Sequence, residues 1–192
     1  FGKVHVVNGP MACCGAPLKR WGNPEAFQVH ARAFAAHLEG VKRLIVDDAG
    51  CGKTLMDEYR VAGIRVPKVV TTTDLLCEAG WKLPTGGKWA PHDSCDYPKG
   101  ESTLRNRLIG GESLAPGSVL EGTGLSCGGM LSQYRDPDNS VRLAVRCGED
   151  LISGGGKRIL VESPTCRAQF ERAGVDVDDL LEIWFDSESG SK

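Results

Sequence analysis

Eight cysteines, at positions 13, 14, 51, 77, 95, 127, 147 and 166, are the residues whose type and spacing could do chemistry in this sequence. Thiolates bind soft and borderline metals, hold iron–sulfur clusters and exchange electrons as thiol–disulfide pairs. No signal-peptide pattern opens the sequence as given, so metal or redox use is expected in preference to a disulfide framework. Cys13 and Cys14 are adjacent. Neighbouring thiols pair with each other poorly, but they can offer two thiolates to one site.

The elements that must position these cysteines occur twice. Lys42-Arg43-Leu44-Ile45-Val46-Asp47-Asp48-Ala49-Gly50-Cys51 has a counterpart in Lys157-Arg158-Ile159-Leu160-Val161-Glu162-Ser163-Pro164-Thr165-Cys166. Each reads as a short buried strand, an acidic or polar turn, and a cysteine opening a helix, expected over 53–59 and 167–173. Upstream of the first lies Cys13-Cys14-Gly15, and upstream of the second Ser126-Cys127-Gly128-Gly129. Cys14 and Cys51 are 37 positions apart, Cys127 and Cys166 are 39 apart. Landmarks that recur in order at nearly one offset mean a duplicated unit.

A helix is predicted between the landmarks of each copy. In the first, Asn23 suits the N-cap, Pro24 the first turn and Gly40 the stop, with Phe27, Ala31, Phe34 and Leu38 on one apolar face. In the second, Asn139 or Ser140 is the expected start, Val141, Val145 and Ile152 the expected face, and Gly154-Gly155-Gly156 the end. Strands are expected over 3–8 and 44–47, leading into Cys13-Cys14 and Cys51. Val69-Val70 reads as the last strand of the first unit, 74–79 as a short helix, and 83–87 as turn chemistry. Residues 88–92 then deliver His92-Asp93-Ser94-Cys95 at a strand end. Alternating strands and helices argue for a parallel sheet, where ligands gather beyond the carboxyl ends of the strands. Cysteines far apart in sequence would meet there.

Composition narrows the function. The net charge of −2 provides no basic surface for nucleic acid. No apolar run approaches the ~20 residues of a membrane span. Gly50-Cys51-Gly52-Lys53-Thr54 resembles a phosphate loop, but Asp47 and Asp48 stand where such a loop needs glycine, and their charge would repel a triphosphate. Cys77 and Cys147 fall mid-helix and read as packing residues. His92 beside Asp93 reads as a turn histidine, with a ligand or proton-carrier role as the sharper alternative. His5, His30 and His37 read as surface residues.

The cysteine pattern resembles the cysteine-rich "CCG" domain family, found in heterodisulfide reductase and in the iron–sulfur subunits of glycolate and lactate oxidases. That family has one cysteine, then Cys-Cys-Gly about thirty residues on, then Cys-x-x-Cys about thirty-five further, usually twice. Cys13-Cys14-Gly15-Ala16-Pro17 carries the likeness most specifically, and Asp47-Asp48-Ala49-Gly50-Cys51, His92-Asp93-Ser94-Cys95 and Ser163-Pro164-Thr165-Cys166 extend it. Asp48, Ser163 and Ser126 replace family cysteines. Cys95 precedes Cys127 by 32 positions, and the same interval before Cys14 falls ahead of Phe1, so the first copy is expected to lack its opening third within this sequence.

The resemblance implies an α/β fold of two tandem, pseudo-symmetric modules, over 1–82 and 83–192, each a small parallel sheet flanked by helices. It implies Cys13, Cys14 and Cys51, and Cys95, Cys127 and Cys166, as cofactor or metal ligands. The cofactor would be an iron–sulfur cluster of the 4Fe-4S type, better supported in the first module, with zinc or no metal as alternatives. The implied role is an electron-transfer or thiol-redox subunit, with a ligand-depleted docking module as the alternative. The implied partners are flavoprotein and ferredoxin-like iron–sulfur subunits. The implied location is cytoplasmic, peripheral to the inner membrane through partners, without membrane insertion by this chain.

Overall fold

A computed structural model describes residues 4–9, 12–96, 104, 114–115 and 125–189. The chain is α/β, with two small parallel sheets flanked by helices. It divides into two compact units, Phe1–Val46 with Gly50–Val70, and Asp47–Ala49 with Thr71–Lys192.

In the first unit, helix α1 (Ala16–Arg20) follows Gly15, and α2 (Pro24–His37) begins as its sequence signals require. The Asn23 side-chain oxygen accepts from the Ala26 N–H at 3.0 Å, which satisfies an otherwise orphaned donor of the first turn. The predicted apolar face is the buried one: Phe27, Ala31, Phe34 and Leu38 all lie in the core. Strand β1 (Arg43–Val46) pairs with β2 (Lys68–Thr71) in a two-stranded sheet. Between them runs α3 (Ala49–Lys53), a π-helical turn at Thr54–Glu58, and α4 (Tyr59–Val61). Cys51 therefore lies inside the first turn of this helix, two residues after its start, where the sequence placed it just ahead of one. Tyr59 is wholly buried, edge-on to Phe27 and Phe34 with ring centroids 5.8 and 6.5 Å away.

The strand expected over 3–8 does not form across 4–8, and Lys3 lies outside the described residues. Val4 and Val6 are 62% and 80% exposed, and only Val7 of the three valines packs on the core. An alternating apolar pattern becomes a strand only when a neighbour takes up its backbone hydrogen bonds. The described sheet of this unit has only β1 and β2.

The second unit holds a three-stranded parallel sheet of β3 (Trp89–His92), β4 (Arg158–Val161) and β5 (Val177–Asp179), in that order. Its register sets His92 opposite Val161 and Val161 opposite Asp179, so the three carboxyl ends are level. Ile159, Leu160 and Val161 are all fully buried because the sheet is covered on both faces. Ile159 and Val161 pack with Phe170 and Ala144, and Leu160, pointing the other way, packs with Leu76, Trp89 and Leu180.

Helix α5 (Thr72–Glu78), read at the join between copies, belongs to this unit and opens on a capping box between Thr71 and Asp74. After the short α6 (Ser132–Arg135), α7 (Pro137–Ser153) starts earlier than expected, because Asp136 rather than Asn139 or Ser140 is the cap. Its Oδ1 accepts from the Asn139 N–H at 3.0 Å. The buried face also differs from the expected valine face: Ser140, Ala144, Cys147, Gly148 and Leu151 face the core, while Val145 is 36% exposed. Close packing explains the choice, since a Cβ on Gly148 would come within 2.9 Å of Val175. Small residues win that face by shape over larger apolar ones. Helix α8 (Pro164–Arg172) carries Cys166 in its first turn, and α9 (Leu180–Ser189) is opened by Asp179, which accepts from the Leu181 N–H at 2.8 Å.

Candidate metal and thiol centres

In the first unit the sharp turn before α1 presents Cys13 outward and Cys14 inward. Cys13 is exposed, Cys14 is buried, and Cys51 is half-buried. The Cys14 and Cys51 sulfurs approach to 3.2 Å, although 37 positions separate them. The backbone N–H of Gly15 donates to the Cys13 sulfur at 3.4 Å. His30, read as a surface residue, lies with Nε2 2.7 Å from the Cys13 carbonyl oxygen and steadies the turn. Tyr59 donates its hydroxyl to the Cys14 carbonyl at 3.0 Å. Burial first, and then the charge of Cys14, Cys13 and Cys51, push the Tyr59 pKa up, so this hydroxyl stays a donor. The π-helical turn lies just after Cys51, a location where such widened turns often accompany functional groups.

The second unit repeats this turn with an oxygen in place of one sulfur. The N–H of Gly128 donates to the Ser126 hydroxyl at 3.1 Å, as that of Gly15 does to Cys13. Both glycines are left-handed, with φ of 80° and 75°. That conformation turns the following chain away while leaving the buried cysteine, Cys14 or Cys127, facing the core. Ser140 clamps the second turn, donating to the Gly128 carbonyl at 2.6 Å, and Gln169 donates to the Ser140 oxygens at 2.8 and 2.9 Å.

Three buried groups converge there. His92 ends β3, Cys166 lies in the first turn of the helix after β4, and Cys127 comes from the clamped turn. One ligand atom from each lies within 4.8 Å of the other two. Parallel pairing explains the meeting, because adjacent strands that end level deliver His92 and the start of α8 to the same edge. The His92 ring stands edge-on to Phe170, with centroids 5.0 Å apart, and its Nδ1 is 3.8 Å from the Cys147 sulfur. Among the described residues, its Nε2 is buried without a well-formed hydrogen bond.

The electrostatics of this group favour one thiolate. A hydrogen bond from Cys166, opposed by burial and aided by His92 and the Gly129 N–H, holds the Cys127 pKa down to about 4. Cys166 is pushed well up, by that same bond and then by burial. Burial alone would lower the pKa of His92, but the nearby sulfurs of Cys127 and Cys147 outweigh it and hold the ring up to about 10.

The six cysteines singled out from the sequence thus fall differently. Cys14 and Cys51 meet, with Cys13 beside Cys14 in the chain but not within 4.8 Å of both their sulfurs. Cys127 and Cys166 meet, while Cys95 is exposed and outside the compact group. His92 takes the third place. Its position at a strand end was legible in sequence, but its burial was not. Cys147, read as a packing residue, is buried in the core and also touches the His92 ring. Cys77 is half-buried against the core on the other sheet face.

The thiols of this α/β chain gather at helix and strand ends. Residues 3–56 match the family model of the cysteine-rich domain, CCG. The CCG domain is found in iron–sulfur oxidoreductase subunits. No curated protein matches the chain. The thiol groupings are compatible with metal or iron–sulfur binding. Among the described residues, no helix is long and apolar enough to cross a membrane.

Proposed function

We propose that the chain is an iron–sulfur electron-transfer or thiol-redox subunit of an oxidoreductase complex of the heterodisulfide reductase or glycolate–lactate oxidase type. The observation that carries this reading is the 3.2 Å approach of Cys14 and Cys51 inside the segment that matches the cysteine-rich domain. Cys13, Cys14 and Cys51 would hold the cluster, which supplies one-electron transfer when bound. Three thiolates fit such a group short of its usual four, so a further ligand must come from a non-cysteine group or from outside the described residues. The chain's own residues shape the site. Tyr59 and His30 hold the Cys13-Cys14 backbone, Gly15 directs an N–H at the Cys13 sulfur, and exposed Cys13 gives a partner access. The partners in this reading are flavoprotein and ferredoxin-like subunits.

The same sulfur pair favours a second reading, thiol redox without metal. At 3.2 Å, Cys14 and Cys51 need only a small movement to reach the ~2.05 Å of a disulfide, releasing two protons and two electrons to an acceptor. The test is anaerobic purification followed by measurement of iron, acid-labile sulfide and free thiols, in the parent and in a Cys13→Ser, Cys14→Ser double variant. Iron with sulfide in the parent, lost in the variant, is the expected result. A metal-free parent in which Cys14 and Cys51 oxidise to a reducible disulfide supports the thiol reading instead. A metal-free parent with inert thiols refutes both.

A further inference from the structure

The donor set of the second unit differs from the three-cysteine pattern implied by the family resemblance. We propose that His92, Cys127 and Cys166 form a mononuclear site for a tetrahedral, borderline-soft divalent cation, Zn²⁺ in the cell, rather than an iron–sulfur site.

Four observations carry this. The three ligand atoms already lie within 4.8 Å of one another, near the spacing that bonds of about 2.0–2.3 Å to one ion demand, so little closing is needed. Only two of the three donors are sulfur, and Ser126 and Ser163 stand where the family resemblance implies further cysteines. One nitrogen with two thiolates suits zinc and leaves an iron–sulfur cluster short of ligands. Among the described residues, the Nε2 of His92 is buried, at 3% residue exposure, without a well-formed hydrogen bond, and a cation shared with the nearby Cys127 sulfur would satisfy it.

The groups that would orient these ligands are also in place. With Nε2 on the ion, Nδ1–H points to the Cys147 sulfur at 3.8 Å, and Phe170 fixes the ring plane. Cys166 sits in the first turn of a nine-residue helix, whose backbone N–H groups favour a thiolate. Cys127 is held by a turn that Ser140 and Gln169 lock into the core. A fourth position remains for water or an incoming group, and Cys95 is not one of the three ligands.

The proposal is independent of the cluster reading of the first unit, and the test keeps them apart. The full chain carrying Cys13→Ser and Cys14→Ser, so that the first unit's thiol pair is disabled, is stripped of metal and titrated with Co²⁺ under reducing, anaerobic conditions. Expected are one Co²⁺ per chain with the visible bands of a tetrahedral thiolate complex, and its displacement by Zn²⁺. His92→Ala and Cys127→Ser each weaken binding by more than the roughly 10–100-fold typical of losing a group that only supports a ligand. Cys95→Ser leaves affinity unchanged.

His92→Cys restores the complex with an added sulfur charge-transfer component, which guards against His92→Ala acting through misfolding. Far-UV circular dichroism checks each variant. Three results would overturn the proposal. Cys95→Ser could abolish binding while His92→Ala leaves it intact. The double variant could retain iron with acid-labile sulfide. The folded double variant could take up neither cobalt nor zinc.

Discussion

Gly15 and Gly128 occupy equivalent turns, and the structure predicts different costs for adding one methyl group to each. Both sit in the left-handed region, at φ of 80° and 75°, where an L side chain costs about 1–2 kcal/mol. At Gly15 a new Cβ would meet the Cδ2 of His30 at 2.7 Å, but that atom is the far end of a half-buried side chain rather than backbone. At Gly128 it would meet the backbone carbonyl oxygen of Ser140 at 2.7 Å, and that residue is fully buried in the long helix of the second unit. The helix cannot step aside without breaking the Ser140 and Gln169 clamp, so about 1–3 kcal/mol of overpacking is added. Gly22 is the control, left-handed at 84° with nothing within 4 Å of its Cβ.

Gly22→Ala and Gly15→Ala are therefore each expected to cost about 1–2 kcal/mol, and Gly128→Ala about 2–5 kcal/mol. The assay is urea unfolding of the full chain by circular dichroism, with tryptophan fluorescence, in a Trp21→Phe background, reporting the second unit through Trp81, Trp89 and Trp184. With a slope near ~2 kcal/mol per molar, Gly128→Ala should lower the midpoint of the fluorescence transition by roughly 1–2.5 M. A Gly128→Ala variant no less stable than Gly22→Ala would refute the argument that the turn is clamped against the helix.

Two further outcomes follow from the same structure. Burial, and then the charges of Asp179 and Asp48, outweigh the Thr72 hydrogen bond and raise the Asp47 pKa, so the fold disfavours its charged carboxylate relative to the unfolded chain. Its contribution is present below the unfolded carboxylate pKa and is lost as pH rises through the raised folded value. Asp47→Asn, which keeps an oxygen to accept from Thr72, should thus raise the melting temperature at pH 7, with the gain vanishing toward pH 4; a gain that persists at low pH would count against this cause. Tyr59→Phe keeps the ring packing against Phe27 and Phe34 but leaves the Cys14 carbonyl without its donor. It should cost about 1–3 kcal/mol in the first unit and quicken alkylation of Cys14, and an unchanged alkylation rate would show that this hydroxyl does not hold the turn.

Much of the architecture was legible from local signals. Asn23-Pro24 with the four-residue spacing of Phe27, Ala31, Phe34 and Leu38 names a helix and its buried side, because capping and 3.6-residue periodicity are local properties. The matched Leu44-Ile45-Val46 and Ile159-Leu160-Val161 runs, each followed by a cysteine in a first helical turn, identify a duplicated strand–helix unit for the same reason. The Cys-Cys-Gly turn and its serine-bearing copy were also readable, and the glycine in each does there what only glycine does cheaply.

Long-range packing decided the rest. The valines near the start look like a strand, but with no strand beside them among the described residues they stay irregular, and Val4 and Val6 are exposed. The long helix of the second unit turned its small residues inward, because a close approach to Val175 rewards Gly148 and Cys147 over Val145. Which thiols meet is a matter of the same kind. Cys95 and His92 are three residues apart in sequence, yet the histidine is the last residue of a buried strand and the cysteine stands beyond it in solvent. Spacing shows which residues can bind; the level ends of two parallel strands, covered on both faces, determine that His92 joins Cys127 and Cys166.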